Sequence, residues 1–187
     1  ARVSQLLTKA RALQAEIGAV NADGAKSVAE ARKLVDSMSD KIDHALGDID
    51  SIRDAESEIG QLQERIKALE RVAPLGIPLD LMAGFDGVEL FIAETSKSSK
   101  ANAEFADILS EIELQAAKGV IAVACRPSES AAVQIGLSAL GAKPIQIPSG
   151  EGSADKMIAN AKSNIQTLEG KIDSANKAVG QWSIDNG

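Results

Sequence analysis

The sequence predicts a mostly helical α+β protein, in which a long antiparallel coiled-coil hairpin carries a small ferredoxin-like (βαββαβ) lobe at its tip. Near both ends of the chain, apolar residues recur at alternating spacings of three and four, which is the heptad pattern of a coiled coil. Between these stretches lie short apolar runs of strand length. Aromatic residues make up only 2% of the 187 residues, whereas a compact core of this size usually buries many more rings.

Two coiled-coil helices are predicted before the lobe. The first covers residues 1–22, where heptad spacing ends at a cluster of turn-forming residues. The second is a long outbound helix over residues 23–73. Ser27 and Glu30 have the spacing of a capping box at its start, and Pro74 ends it because proline cannot continue a helix.

The middle of the chain, residues 74–152, is predicted to be the α/β lobe. Its four strands are predicted over residues 88–95, 112–116, 120–125 and 144–148. An amphipathic helix is expected between the first two strands and another between the last two. This is the split strand order of ferredoxin-like folds, in which the first and third strands are central.

The two faces of the first strand are expected to be covered differently. Val88, Leu90 and Ile92 lie on one face, and Phe91 and Ala93 lie on the other. Both lobe helices should cover one face of the sheet and leave the other for the coiled coil or a partner. We expect the Phe91 face to be at least partly covered by something outside the lobe's own helices.

A return coiled-coil helix is predicted over residues 153–187. Its apolar seam runs from Ile158 to Trp182 at heptad spacing, so Trp182 is expected to be a packing residue. Ser153 and Asp155 are suited to cap the helix start. Because this helix follows the lobe, we expect it to run back along the outbound helix as the second arm of the hairpin.

Charge, length and cysteine usage exclude several functional classes. The net charge is −7 and the isoelectric point is near 4.8, so the chain lacks the basic stripe that binds nucleic acid or an anionic membrane. The longest uncharged run, residues 130–142, is shorter than the roughly 20 residues that cross a bilayer. We expect a soluble chain with no nucleic-acid partner and no direct membrane insertion. Cys125 is the only cysteine, which favours a reducing, cytoplasmic setting.

No motif in the sequence predicts catalysis. His44 is the only histidine and falls off the apolar seam, so we expect it to face solvent. Cys125 ends an apolar strand, where cysteine usually behaves as a small hydrophobe. One histidine and one cysteine do not by themselves supply the three protein ligands of a zinc site. We therefore predict no catalytic, cofactor-binding or metal-binding residue and no cofactor.

Two loops are candidate binding elements of a weaker kind. Ser149–Ser153 is a glycine loop that leads into a helix, and such loops can hold an anion on their backbone N–H groups. The carboxylates of Glu151 and Asp155 would repel an anion at that place. We therefore expect the glycines to form a tight connection between the lobe and the return helix. Lys97–Lys100 is a solvated polar loop that is also suited to an acidic partner.

Residues 77–85 read IPLDLMAGF and are followed by the α/β segment, a glycine loop at Gly150–Ser153 and a second heptad helix. This order resembles the cytoplasmic amino-terminal half of the membrane stator subunit (subunit I or subunit a) of archaeal and vacuolar-type rotary ATPases. In that family an IPLxLLxGY stretch opens the distal lobe. Here Phe85 replaces the tyrosine and Ala83 replaces a usually larger residue. The resemblance covers about residues 40–182.

The resemblance implies a stator function and not catalysis. In the family, the distal lobe docks the peripheral-stalk heterodimer and, in some members, the central-shaft cap subunit. The helical rod carries torque between the stalk and the membrane sector of a proton- or sodium-translocating ATPase, on the cytoplasmic side of the membrane. The resemblance assigns no partner-binding residue. Two alternatives stay open: an unrelated coiled-coil adaptor whose lobe binds another protein, and a lobe that binds a small molecule.

Overall fold

The computed structural model describes residues 2–17, 28–82 and 85–186. The described chain is mostly helical and contains a four-stranded antiparallel sheet, so the α+β class is confirmed. Its helices and strands, in chain order, are α1 (Arg2–Ile17), α2 (Val28–Val72), α3 (Leu79–Met82), β1 (Glu89–Glu94), α4 (Ala101–Glu104), β2 (Ile112–Ala117), β3 (Val120–Cys125), α5 (Ser130–Ala139), β4 (Lys143–Pro144) and α6 (Ala154–Asn186).

The chain divides into two compact units. The helical unit comprises Ala1–Gly60 and Asn164–Gly187, and the α/β unit comprises Gln61–Ser163. Both divisions fall inside helices, because α2 and α6 each contribute to both units.

The helical unit is built around the predicted apolar seam. Its buried core consists of Leu13 from α1 and Ile42, Ala45 and Ile49 from α2, and Val179 and Trp182 of α6 pack against it. All of these residues occupy heptad positions in the sequence, so the periodicity identified the buried face correctly.

Two exposed ion pairs join α1 to α2. Lys9 Nζ lies 2.7 Å from Asp43 Oδ1, and Arg53 pairs with Glu16. The residue numbers rise together along both helices, so α1 and this part of α2 run in the same direction. Exposed pairs of this kind add little to the free energy of folding.

The helix ends agree in part with the sequence predictions. The last described residue of α1 is Ile17, and the predicted turn and the predicted cap at Ser27 lie outside the described residues. The long helix α2 ends at Val72, and Pro74 lies in the 3₁₀ turn that follows. Ser153 Oγ accepts a hydrogen bond from Lys156 N at 3.3 Å, which is the predicted cap of α6.

The strand order of the sheet is β2-β3-β1-β4, and each pair of neighbours is antiparallel. The first and third strands are therefore central, as the sequence predicted. Strand β3 has the predicted bounds, because its apolar run is closed by Gly119 and by Arg126. Val123 of β3 lies directly opposite Phe91 in the β1–β3 pair and opposite Leu114 in the β2–β3 pair.

Two elements of the α/β unit differ from the prediction. The first crossover contains only the four-residue helix α4 between 3₁₀ turns, where a longer amphipathic helix was expected. Strand β4 consists only of Lys143 and Pro144, where a strand over residues 144–148 was expected. Ile145 N still donates to Ile92 O at 2.9 Å. The ferredoxin-like assignment as a whole stays a prediction.

The expectation for the Phe91 face was wrong. Phe91 and Ala93 lie under the lobe's own elements, in a core that includes Phe105 and the α5 residues Val133 and Leu137. The side on which a crossover packs is set by the handedness of the connection. Side-chain size on a strand carries no such information, which is why the sequence did not identify the face.

The opposite face of the sheet is covered by the long helices. Leu90 and Ile92 pack with residues from the ends of α2 and α6 and from α3. These contacts lie within the α/β unit and involve Leu69, Val72, Leu79, Met82 and Ala154. The sheet is thus enclosed between its own crossovers on one side and the helix ends on the other.

Candidate functional site

The glycine loop is held by hydrogen bonds to α3. Gly152 N donates to Asp80 Oδ1 at 2.8 Å, and Leu79 N donates to Gly152 O at 2.9 Å. Gly152 has a φ of +78°, a conformation that favours glycine. The carboxylate of Asp80 thus occupies the position at Gly152 N where an external anion would bind, and the loop is a structural connection.

Asp80 belongs to the IPLDLMAGF stretch, and its role was not identified from the sequence. The stretch forms the short helix α3, in which Leu79 and Met82 are each 2% exposed and Asp80 is exposed. The only sequence feature that could have indicated this role is that Asp80 is an acidic residue in the first turn of a helix.

Cys125 is buried and has a free thiol. Its Sγ lies 4.0 Å from Ser130 Oγ, and Ser130 in turn donates to a carboxylate oxygen of Glu89. Burial is the main cause that raises the pKa of the Cys125 thiol, and the nearby Glu89 and Glu129 carboxylates raise it further. A thiol with a raised pKa is a poor nucleophile at neutral pH, so Cys125 acts as a core residue.

The other candidate residues from the sequence analysis do not lie together in one site. His44 is exposed on α2, as predicted. Lys97 and Lys100 are exposed at a 3₁₀ turn. Trp182 is partly buried in the helical unit, where it packs against the core of that unit.

The described residues contain neither a cluster of metal ligands nor a membrane-spanning helix. Across residues 2–17, 28–82 and 85–186, no three His, Cys, Asp or Glu side chains lie close enough together to hold a metal ion. None of the helices in the same ranges has the length and apolar content that would let it span a bilayer.

A shallow, open cleft at the end of the sheet was not predicted. It has a volume of about 520 Å³ and is lined by residues from α2, from the β2–β3 turn and from the segment that joins α5 to β4. Thr95 lies in its wall and is only 7% exposed. Thr95 Oγ1 donates to Leu140 O at 2.7 Å, and Thr95 N donates to Gly119 O at 2.8 Å. Thr95 is thus hydrogen-bonded to both sides of the cleft, at the β2–β3 turn and at the end of α5.

The comparisons with known proteins agree with the predicted resemblance. No family model matches the chain. The A-type ATP synthase subunit I of Halobacterium salinarum is 28% identical over 114 residues, which cover 59% of this chain and 16% of that protein. The predicted resemblance to subunit I is confirmed. This chain therefore corresponds to a small part of the length of that subunit I.

A solved structure shares the fold. The crystal structure described as the cytoplasmic N-terminal domain of subunit I, homolog of subunit a, of V-ATPase matches with a TM-score of 0.54 and 19% identity. The match covers 100% of this chain and 64% of that chain. The fold of this chain is therefore similar to that of this cytoplasmic domain.

Proposed function

We propose that this chain is a stator element of an A/V-type rotary ATPase. In this proposal it links the peripheral stalk to the membrane sector and resists torque, on the cytoplasmic side of the membrane. The match to A-type ATP synthase subunit I carries the proposal, and the fold shared with a subunit I domain supports it. The ATPase to which it belongs moves protons or sodium ions.

The mechanical part of the proposal rests on the two long helices. Helix α2 has 45 residues and α6 has 33 residues, and both carry apolar residues at heptad spacing. We propose that residues 23–73 and 153–187 form the arms of an antiparallel coiled-coil hairpin, and that residues 1–22 add a further helix. Residues 74–152 are then the distal, ferredoxin-like lobe.

The packing inside the α/β unit suits the transfer of force. Leu69 and Val72 of α2 and Ala154 of α6 are each at most 4% exposed and belong to the same buried cluster as the sheet residues Ile92 and Ala122. Protein interiors are densely packed and transmit strain. A load on the sheet therefore reaches the helix ends without a flexible connection between them.

The proposed partner of the lobe is the peripheral-stalk heterodimer and, as in some members of the family that the sequence resembles, also the central-shaft cap subunit. The chain itself performs no catalytic step in this proposal. Neither nucleic acid nor direct contact with the bilayer interior is required.

Calorimetric titration of the chain with a purified archaeal peripheral-stalk heterodimer tests the proposal. We expect saturable binding that weakens as salt is raised from low to moderate concentration, because charged surfaces contribute to docking. A variant in which a short loop replaces residues 74–152 should lose this binding. Far-UV circular dichroism of the variant checks that its helices are retained.

Two results contradict the proposal. The first is an absence of binding both to the isolated stalk and to an ATPase preparation that lacks its own subunit I. The second is unchanged binding by the folded variant without residues 74–152, since the lobe would then not be the docking element.

A further inference from the structure

The cleft at the end of the sheet has two lysines on opposite sides. Lys118 lies in the β2–β3 turn, and Lys143 begins β4. Both side chains are exposed, and both residues line the cleft. The described part of the structure pairs neither lysine with a carboxylate.

The acidic residues of the cleft have cationic partners. Glu94 lies opposite Lys143 across the β1–β4 pair, but its Oε1 lies 3.6 Å from Arg71 Nε. Glu70 Oε1 lies 4.0 Å from Lys162 Nζ. The two carboxylates are thus balanced by two other cations, which leaves the two lysines as excess positive charge in a chain whose net charge is −7.

The backbone at Lys118 is in an unfavourable conformation for a lysine. Its φ is +44°, and among the described residues it is the only residue other than glycine with a positive φ. Gly119 follows with a φ of +89°, so the turn has positive φ at both central positions, where Asn, Asp or Gly is usual. Residues held in such conformations cluster at functional sites, and the strain here points to a use for the lysine side chain.

Thr95 fixes the distance between the two sides. Its N–H holds the turn through Gly119 O, and its hydroxyl holds the end of α5 through Leu140 O, which precedes Lys143 by three residues. The hydroxyl also accepts a hydrogen bond from Lys97 N at 3.1 Å. This buried residue therefore fixes the backbone on the two sides of the cleft before any partner arrives, and a preorganised site loses less entropy on binding.

We infer that this cleft is a docking site for a carboxylate-bearing segment of a partner protein, with Lys118 and Lys143 as its two contacts. The inference rests on the proposed function, since the partner is then a subunit of the ATPase stator. It adds the surface of the lobe that is used and the chemistry of the segment that binds there. Complementary charges at such a surface set orientation and the rate of association.

The first test is calorimetric titration of the full chain with the stalk heterodimer. The double variant Lys118→Glu with Lys143→Glu should weaken binding by about tenfold or more, because both contacts become repulsive. The matched control is Lys97→Glu with Lys100→Glu, which makes the same charge change on a neighbouring exposed turn. We expect the control to change affinity by less than about threefold. Equal losses in the two variants, or no loss in the first, would overturn the inference and leave the stator proposal standing.

The second test does not depend on the stalk. Hexaglutamate is titrated into the ¹⁵N-labelled chain, and the amide chemical shifts are followed by NMR. We expect changes at Lys118, Gly119 and residues 141–143, with smaller changes at Lys97 and Lys100. Changes in this pattern without any stalk binding would support the cleft and contradict the stator proposal. Absence of changes at the cleft, or larger changes with inorganic phosphate at equal ionic strength, would overturn the carboxylate inference.

Discussion

Asp80 and Gly152 are 72 residues apart in sequence and are joined by a hydrogen bond of 2.8 Å from the glycine N–H to the aspartate carboxylate. The bond connects α3, which precedes β1 in the sequence, with the loop that precedes α6. Leu79 N returns a second bond to Gly152 O at 2.9 Å. The segments that precede and follow the sheet in the sequence are thus joined to each other beside the first turn of α6.

Asp80→Ala removes the acceptor of this bond and is expected to destabilise the chain. A hydrogen bond to a charged group contributes about 1.5–3 kcal/mol, and exposure of Asp80 reduces this to about 1 kcal/mol. The measurement is the midpoint of urea unfolding. Glu151→Ala is the control, because it removes an exposed carboxylate from the same loop. Equal destabilisation by the two variants would show that general loop charge and not the Asp80 bond is responsible.

Gly136 and Phe105 define a second test, in which helix propensity and packing oppose each other. A Cβ added at Gly136 would lie 2.3 Å from Phe105 Cε1, and the ring is buried, with 1% of its surface exposed. Gly136→Ala should therefore destabilise the chain by about 1–3 kcal/mol through overpacking, despite the better helix propensity of alanine.

Gly60→Ala is the control for that variant. Gly60 also lies inside a helix, but a Cβ there meets no described atom within 4 Å. Its substitution should stabilise the chain by up to about 1 kcal/mol. The two variants are compared by thermal unfolding, and a stabilising effect of Gly136→Ala would mean that Phe105 repacks.

Cys125 gives a prediction for pH dependence. Burial raises the pKa of its thiol in the folded state, so the unfolded chain loses the thiol proton at a lower pH than the folded chain does. Above the ordinary cysteine pKa the unfolded state binds fewer protons, and the free energy of unfolding falls as pH rises. The thiol's contribution is complete below the unfolded pKa and decreases through the alkaline range towards the folded pKa.

The pH effect is measured as urea stability between neutral and alkaline pH. Cys125→Ala serves as the reference, because it lacks the titrating thiol and every other titrating group is unchanged. We expect the stability of the natural chain to fall more steeply with pH than that of the variant. Parallel curves would contradict the pKa assignment. In the same chain, thiol-reactive reagents should label Cys125 slowly at neutral pH and quickly once urea unfolds the α/β unit.

The contrast between local and distant contacts explains which features were predictable. The bounds of β3 follow from a continuous apolar run, and the buried heptad residues Leu13 and Ile42 follow from periodicity. Both signals lie within a few residues of one another. The Thr95 bond joins residues 45 apart in sequence, and the Asp80 bond spans a still longer interval. The residues around Thr95 and Asp80 in the sequence form no pattern that predicts these distant hydrogen-bond partners.

The covering of the sheet was unpredictable for a different reason. The alternation along β1 correctly places Phe91 and Ile92 on opposite faces of the sheet. It does not say which of the two faces the crossovers cover. That choice depends on the direction in which the chain leaves β1 and β3. Likewise, Phe105, which follows the short helix α4, lies against Gly136 of α5, a distant contact that periodicity within the crossover does not report.

Lys118 supplies a test in which stability and binding are expected to change in opposite directions. Lys118→Asn keeps the turn but replaces lysine by a residue that tolerates positive φ, so it should raise stability by about 0.5–1 kcal/mol. Lys97→Asn is the control, because Lys97 has an ordinary φ of −106° and should gain no such stability. Affinity for the stalk heterodimer should fall for Lys118→Asn and stay near that of the natural chain for Lys97→Asn. A variant at Lys118 that is more stable and binds equally well would show that the strained turn serves neither docking nor folding.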